Sequence, residues 1–116
     1  MPKDGIQRAD INKIHSMTIE IQQSEKQILA ILNGELDTAA SAEAEVSLQP
    51  LLDSKGRDVV IDCSGLEYIA SSGLRLLLGI LKKAKSVGSR VILKNVNEVV
   101  KDVLELTGFI SIFEFE

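Results

Sequence analysis

The residues able to do chemistry in this chain gather in two short stretches. The first is Asn33-Gly34-Glu35-Leu36-Asp37, which leaves an apolar run and enters an alanine-rich one. The second is Asp62-Cys63-Ser64-Gly65-Leu66-Glu67-Tyr68-Ile69-Ala70-Ser71-Ser72-Gly73-Leu74, which ends where a leucine-rich segment begins. Both have a structural reading. Gly34 bends the chain and Asp37 satisfies free N–H groups at a helix start, while Ser71 or Ser72 does the same for the next helix. The second stretch also has a chemical reading. A serine at a helix N-terminus is exposed, and a phosphate added there meets free N–H groups and the positive end of the helix dipole. The fold would tolerate it while the surface gained about −1.5 to −2 charge. Arg75, one turn beyond Ser71, stands either to steady that phosphate or as a solvated arginine.

Other chemistry runs short of residues. One histidine and one cysteine among 116 residues allow at most one nucleophile–base couple, no internal disulfide and no His-rich metal site. His15 lies in a polar leader and reads as a solvated surface residue. Cys63 closes an apolar run and reads as a small core hydrophobe. The glycines form no cradle followed by Lys-Ser or Lys-Thr, so a P-loop is excluded. A nucleotide hydrolase is motivated only by the acidic loop near a helix start. We therefore expect no enzyme: no catalytic residue, no metal and no cofactor.

Seventeen acidic residues against thirteen basic ones give a net charge of −4, the opposite of the concentrated positive surface that engages nucleic acid. No apolar run approaches the roughly 18–20 residues of a membrane span. Met1-Pro2-Lys3-Asp4-Gly5 lacks the layout of a signal peptide, and with the lone cysteine this points to the cytoplasm.

The elements that hold the two stretches follow from periodicity. A composition 45% hydrophobic and 26% charged fits one globular domain. Residues 1–15 are polar, with sparse isoleucines, and read as a weakly ordered extension (an added leader or an upstream start), leaving a single domain over 16–116. Met17, Ile19 and Ile21 alternate with polar residues, the mark of a half-buried strand. Gln27–Leu32 reads as its hairpin partner, ended by Asn33-Gly34. A helix then runs from Thr38 or Ser41 to about Ser54, kinked or restarted at Pro50. Asp58–Asp62 is a buried strand, followed by a loop over Cys63–Ala70. The strongest helix runs from Ser71 to about Val87, with Leu74, Leu77, Leu78 and Leu81 as its buried stripe. Arg90–Lys94 is a strand. Asn97 caps a third helix, with Val99, Val100, Val103, Leu104 and Leu106 on its apolar face and Gly108 stopping it. Phe109–Phe115 is a last edge strand. The order ββαβαβαβ predicts an α/β fold with a mixed sheet and packed helices.

From about Met17 onward the chain resembles the STAS domain, and specifically free-standing anti-sigma factor antagonists. Three features carry the resemblance: Gly34-Glu35-Leu36-Asp37 after the second strand, Val60-Ile61-Asp62-Cys63-Ser64 followed by Leu66, and Ile69-Ala70-Ser71-Ser72-Gly73-Leu74 at a helix start. The resemblance implies a mixed β-sheet flanked by three to four α-helices. It implies a protein whose unphosphorylated form binds an anti-sigma factor that is also a serine kinase, and so frees a sigma factor. The kinase would switch it off by phosphorylating a helix-start serine, and a serine phosphatase would reverse this. Carried onto this sequence, the phosphoacceptor is Ser71, with Ser72 beside it, and Asp37 is the acidic loop residue near it. Asp37, Ser71, Ser72, Gly73 and Arg75 form the expected partner surface. Ala70 stands where many switching members have Asp. That departure favours the alternative of a constitutive STAS scaffold or accessory subunit, for example in a lipid-transport or signalling complex.

Overall fold

The computed structural model describes residues 8–14 and 16–116; residues 1–7 and His15 lie outside the described residues. Alternation builds the first hairpin. Met17, Ile19 and Ile21 of β2 (Met17–Gln23) are buried, while Thr18, Glu20 and Gln22 are half-buried. β3 (Gln27–Leu36) pairs with it antiparallel, Met17 facing Gly34. Ser24 closes the turn, accepting the Gln27 N–H at 3.2 Å while its own N–H donates to the Gln27 carbonyl at 2.9 Å. Within the segment expected to be a loose extension, Arg8–Ile14 forms a further strand, β1, paired antiparallel with β2 along its length.

Parallel strands complete the sheet. β4 (Asp58–Ile69), β5 (Val91–Lys94) and β6 (Glu114–Phe115) follow in spatial order β1-β2-β3-β4-β5-β6. Each parallel step needs a crossover, and the helices supply it: α1 (Thr38–Ser47), α2 (Ser71–Ser86) and α3 (Glu98–Leu106). The predicted mixed sheet with packed helices is what forms. The three crossovers step in one direction along the sheet, and their helices share one core with it. There Ile19, Ile28, Leu32, Val59, Ile61 and Leu93 join Ala44, Leu77, Ile80 and Leu104 in one core. Cys63 belongs to that core, 1% exposed. Burial, and behind it the charge of Asp62, pushes its thiol up to about 12, so it is an inert packing residue.

Several boundaries and burials differ from the sequence expectation. β3 does not stop at Asn33-Gly34, and Cys63–Ala70 is not a loop. Both strands continue in parallel, Asn33 beside Gly65 and Leu36 beside Ile69, through register shifts on either side of Asn33-Gly34. Such bulges break the period-2 pattern that would otherwise announce a strand. The break expected at Pro50 does occur: α1 ends at Ser47 and a 3₁₀ turn follows over Gln49–Leu52, because proline has no N–H to continue the ladder. Val99 and Leu106 of α3 are 54% and 87% exposed rather than inward. That nine-residue helix buries only Val100 and Leu104. Leu78 of α2 is half-buried, and Ile80 takes a core place instead. The last strand shrinks to Glu114–Phe115 after a 3₁₀ turn at Phe109–Ser111.

Candidate functional site

The two chemically interesting stretches meet where the extended ends of β3 and β4 deliver their chains to α1 and α2. Asp37 is the N-cap of α1: its extended backbone lets Oδ1 accept the Ala40 N–H at 2.8 Å. Its Oδ2 accepts the Ser16 hydroxyl at 2.9 Å. One turn into α1, the Ser41 hydroxyl donates to the Asp37 carbonyl at 2.7 Å. Ser72 Oγ then donates to Ser41 Oγ at 3.1 Å. This chain of hydroxyls, Ser72 to Ser41 to Asp37 with Ser16 on the far side, fastens the starts of α1 and α2 together. Sequence reading identified Asp37 and Ser72 and missed Ser16 and Ser41. The only signal was Ser41 four residues after a cap, where a hydroxyl reaches back one helical turn.

The start of α2 departs from the capping expectation. Neither Ser71 nor Ser72 caps it. The N-cap is Ala70 (φ −87°, ψ 169°), whose methyl accepts nothing, and Ser71 is already the first helical residue. Backbone bonds seat the turn instead: Ala70 N–H donates to the Leu36 carbonyl at 2.9 Å, and Leu74 N–H to the Ala70 carbonyl at 3.0 Å. Ser71 is exposed while Ser72 is half-buried, so Ser71 presents its hydroxyl to solvent beside first-turn amides that no side chain caps. Gly73 explains the placement. It is buried, and a Cβ there would sit 2.8 Å from Leu36 Cγ and 2.9 Å from Ile69 Cγ1. Only glycine lets α2 lie this close on the ends of β3 and β4. Gly73, itself buried, therefore positions Ser71. Arg75 is exposed one turn away, and its guanidinium forms no ion pair with a described residue.

Below this site, Asp62 is a structural acid. Burial works to raise its pKa, but the Ser64 amide at 2.9 Å and hydroxyl, the Asn95 amide at 3.4 Å and the charge of Lys94 hold it below the usual value. Among the described residues no His/Cys/Asp/Glu cluster could hold a metal ion, and no helix is long and apolar enough to cross a membrane.

The cap makes a direct prediction. Asp37→Ala should lower stability by about 0.5–2 kcal/mol, read from denaturant unfolding. Asp37→Asn should recover most of it, because Asn caps as well as Asp. An Asn variant as unstable as Ala would show that charge, not capping, is what Asp37 contributes to the fold.

The match to known proteins falls on this architecture. The STAS domain profile matches residues 18–116, both site stretches included. The chain belongs to the STAS domain family. This STAS domain is 32% identical over 97 residues to the putative anti-sigma factor antagonist BtrV of Bordetella bronchiseptica, covering 84% of each chain. It is 26% identical over 99 residues to the anti-sigma-B factor antagonist of Bacillus subtilis, covering 85% of this chain and 90% of that one. Among solved structures it superposes on the anti-sigma factor antagonist SpoIIAA in its unphosphorylated form with a TM-score of 0.66 at 19% identity, over 94% of this chain and 88% of that one. SpoIIAA in its phosphorylated form superposes with a TM-score of 0.59 at the same identity, over 94% of this chain and 91% of that one. At that identity the likeness is one of fold, and it spans the whole sheet-and-helix arrangement that carries Ser71.

Proposed function

We propose that this STAS domain is an anti-sigma factor antagonist. Its unphosphorylated form binds an anti-sigma serine kinase and so frees a sigma factor; phosphorylation at Ser71 turns it off, and a serine phosphatase restores it. The observation that carries the reading is the exposed Ser71 hydroxyl on the first turn of an uncapped α2. The relatives named as antagonists support the partner class. Physically, a phosphate on Ser71 meets the amides and positive dipole of α2, so the domain keeps its fold. A partner docked over Ser71 would then have to bury about −1.5 to −2 of added charge, and binding weakens. The site acts by contact rather than by turnover: Asp37 serves as a cap, its carboxylate accepting from the Ala40 N–H and the Ser16 hydroxyl.

A second reading, the constitutive scaffold or accessory subunit, is favoured by Ala70, because the family resemblance puts Asp at this position in many switching members. Titrating the purified protein with the anti-sigma serine kinase of the same genome separates the two. The antagonist reading expects a one-to-one complex without ATP, lost after incubation with ATP. A complex that persists while Ser71 stays unmodified would establish the scaffold.

A further inference from the structure

We infer that the groove between α1 and α2 is a second part of the partner interface and receives an amphipathic helix of the anti-sigma partner, with one apolar side chain seated over Gly79. The inference rests on the antagonist reading and extends it away from Ser71.

The groove is open and holds about 530 Å³. Its upper end is Thr38 and Ser72, so it begins one residue from Ser71 and is continuous with the proposed switch surface. Its floor is apolar: Leu48 and Ile80 are buried, Leu52 and Leu76 half-buried. Its walls carry one charge each, Glu45 on α1 and Arg75 on α2. No ion pair joins them or ties either to another described residue. An apolar floor between two unspent, opposite charges suits an amphipathic segment that brings an acid to Arg75 and a base to Glu45. Two parallel ridges of side chains lined by helices on both sides are the form in which a third helix is received.

Gly79 decides the matter. It lies in the middle of the sixteen-residue α2 and is exposed. Its backbone is ordinary and a Cβ built on it meets nothing within 4 Å. Glycine at such a position weakens a helix relative to alanine, and neither packing nor a turn requires it here. Gly73 in the same helix shows the contrast, since its Cβ would collide with the core. What the missing side chain at Gly79 does provide is floor space in the groove. The free protein gains nothing from that space; an incoming side chain does.

The test uses the full chain and the anti-sigma serine kinase of the same genome, with Kd from calorimetry and Tm from thermal unfolding. Gly79→Leu is expected to hold or raise Tm while raising Kd about tenfold or more. Gly79→Ala should raise Tm with a smaller loss of binding. Ala42→Leu, which intrudes from the exposed opposite wall, should weaken binding as Gly79→Leu does and keeps the test open if that variant folds poorly. Glu105→Leu, the same kind of change on exposed α3, should leave Kd unchanged. Wild-type Kd in both groove-filling variants overturns this inference and leaves the antagonist reading standing. No binding by the wild-type chain overturns both. Unchanged Kd together with loss of a wild-type dimer in sedimentation would assign the groove to a second copy and overturn the partner assignment.

Discussion

Replacing Ser71 by aspartate is expected to keep the fold and weaken binding to the anti-sigma kinase, and phosphorylation of Ser71 should abolish working affinity. The charge lands on the first turn of α2, where the helix dipole favours an anion by about 0.3–1 kcal/mol, so Tm should hold or rise slightly. Binding moves the other way. A full phosphate buried against a partner should cost about 2.7–4 kcal/mol, roughly 100–1,000-fold in Kd. Aspartate carries one charge on a shorter side chain, so its effect should be partial. Ser71→Ala should bind like the wild type and resist being switched off. The structure sharpens the stability side of this experiment. Because Ala70 and not Ser71 is the N-cap, Ser71→Ala removes no capping bond and should change stability by less than about 0.5 kcal/mol. Mass mapping after incubation with kinase and ATP decides the residue. Phosphate on Ser72 would sink the assignment, and would also require opening the Ser72–Ser41 bond.

The largest stability effect should come from Gly34→Ala. Gly34 has φ +112°, a conformation that side chains rarely adopt. A Cβ there would also run into the Ser16 carbonyl oxygen and approach Met17 Cα to 2.8 Å. These are backbone atoms of the neighbouring strand and cannot rotate away. Strain and overlap together should destabilise the domain by about 2–5 kcal/mol, a large share of the ~5–15 kcal/mol that holds a domain folded. The site would suffer with the fold, since Met17 faces Gly34 and the Glu35 N–H donates to the Ser16 carbonyl at 3.1 Å. Pushing that strand away pulls Ser16 off Asp37. Denaturant unfolding that moved by less than about 0.5 kcal/mol would contradict this account of the bulge.

What the sequence by itself determined was local in cause. The alternation of Met17, Ile19 and Ile21 specifies a half-buried strand whatever it pairs with. The spacing of Leu74, Leu77 and Leu81 specifies a helix with one buried stripe, and Asn97 and Asp37 mark helix starts because a cap bonds amides only three residues on. Pro50 forces a break for the same short-range reason. These marks sufficed to place the centres of β2 to β5 and the three helices and to single out Asp37, Ser71 and Ser72.

Only the tertiary structure decided how those residues act together. Continuation of β3 and β4 past Gly34 and Cys63 depends on bulged pairing between strands, which leaves no period in either sequence. The same holds for β1, which becomes a strand because β2 offers it an open edge. The bond of Ser16 to Asp37 spans 21 residues of chain, and that of Ser72 to Ser41 spans 31. No local rule connects positions that far apart. Gly73 and Gly79 are the same residue in the same helix six positions apart. One is glycine because Leu36 and Ile69 press against it, the other faces an open groove, and only the packing of α2 on its neighbours tells them apart.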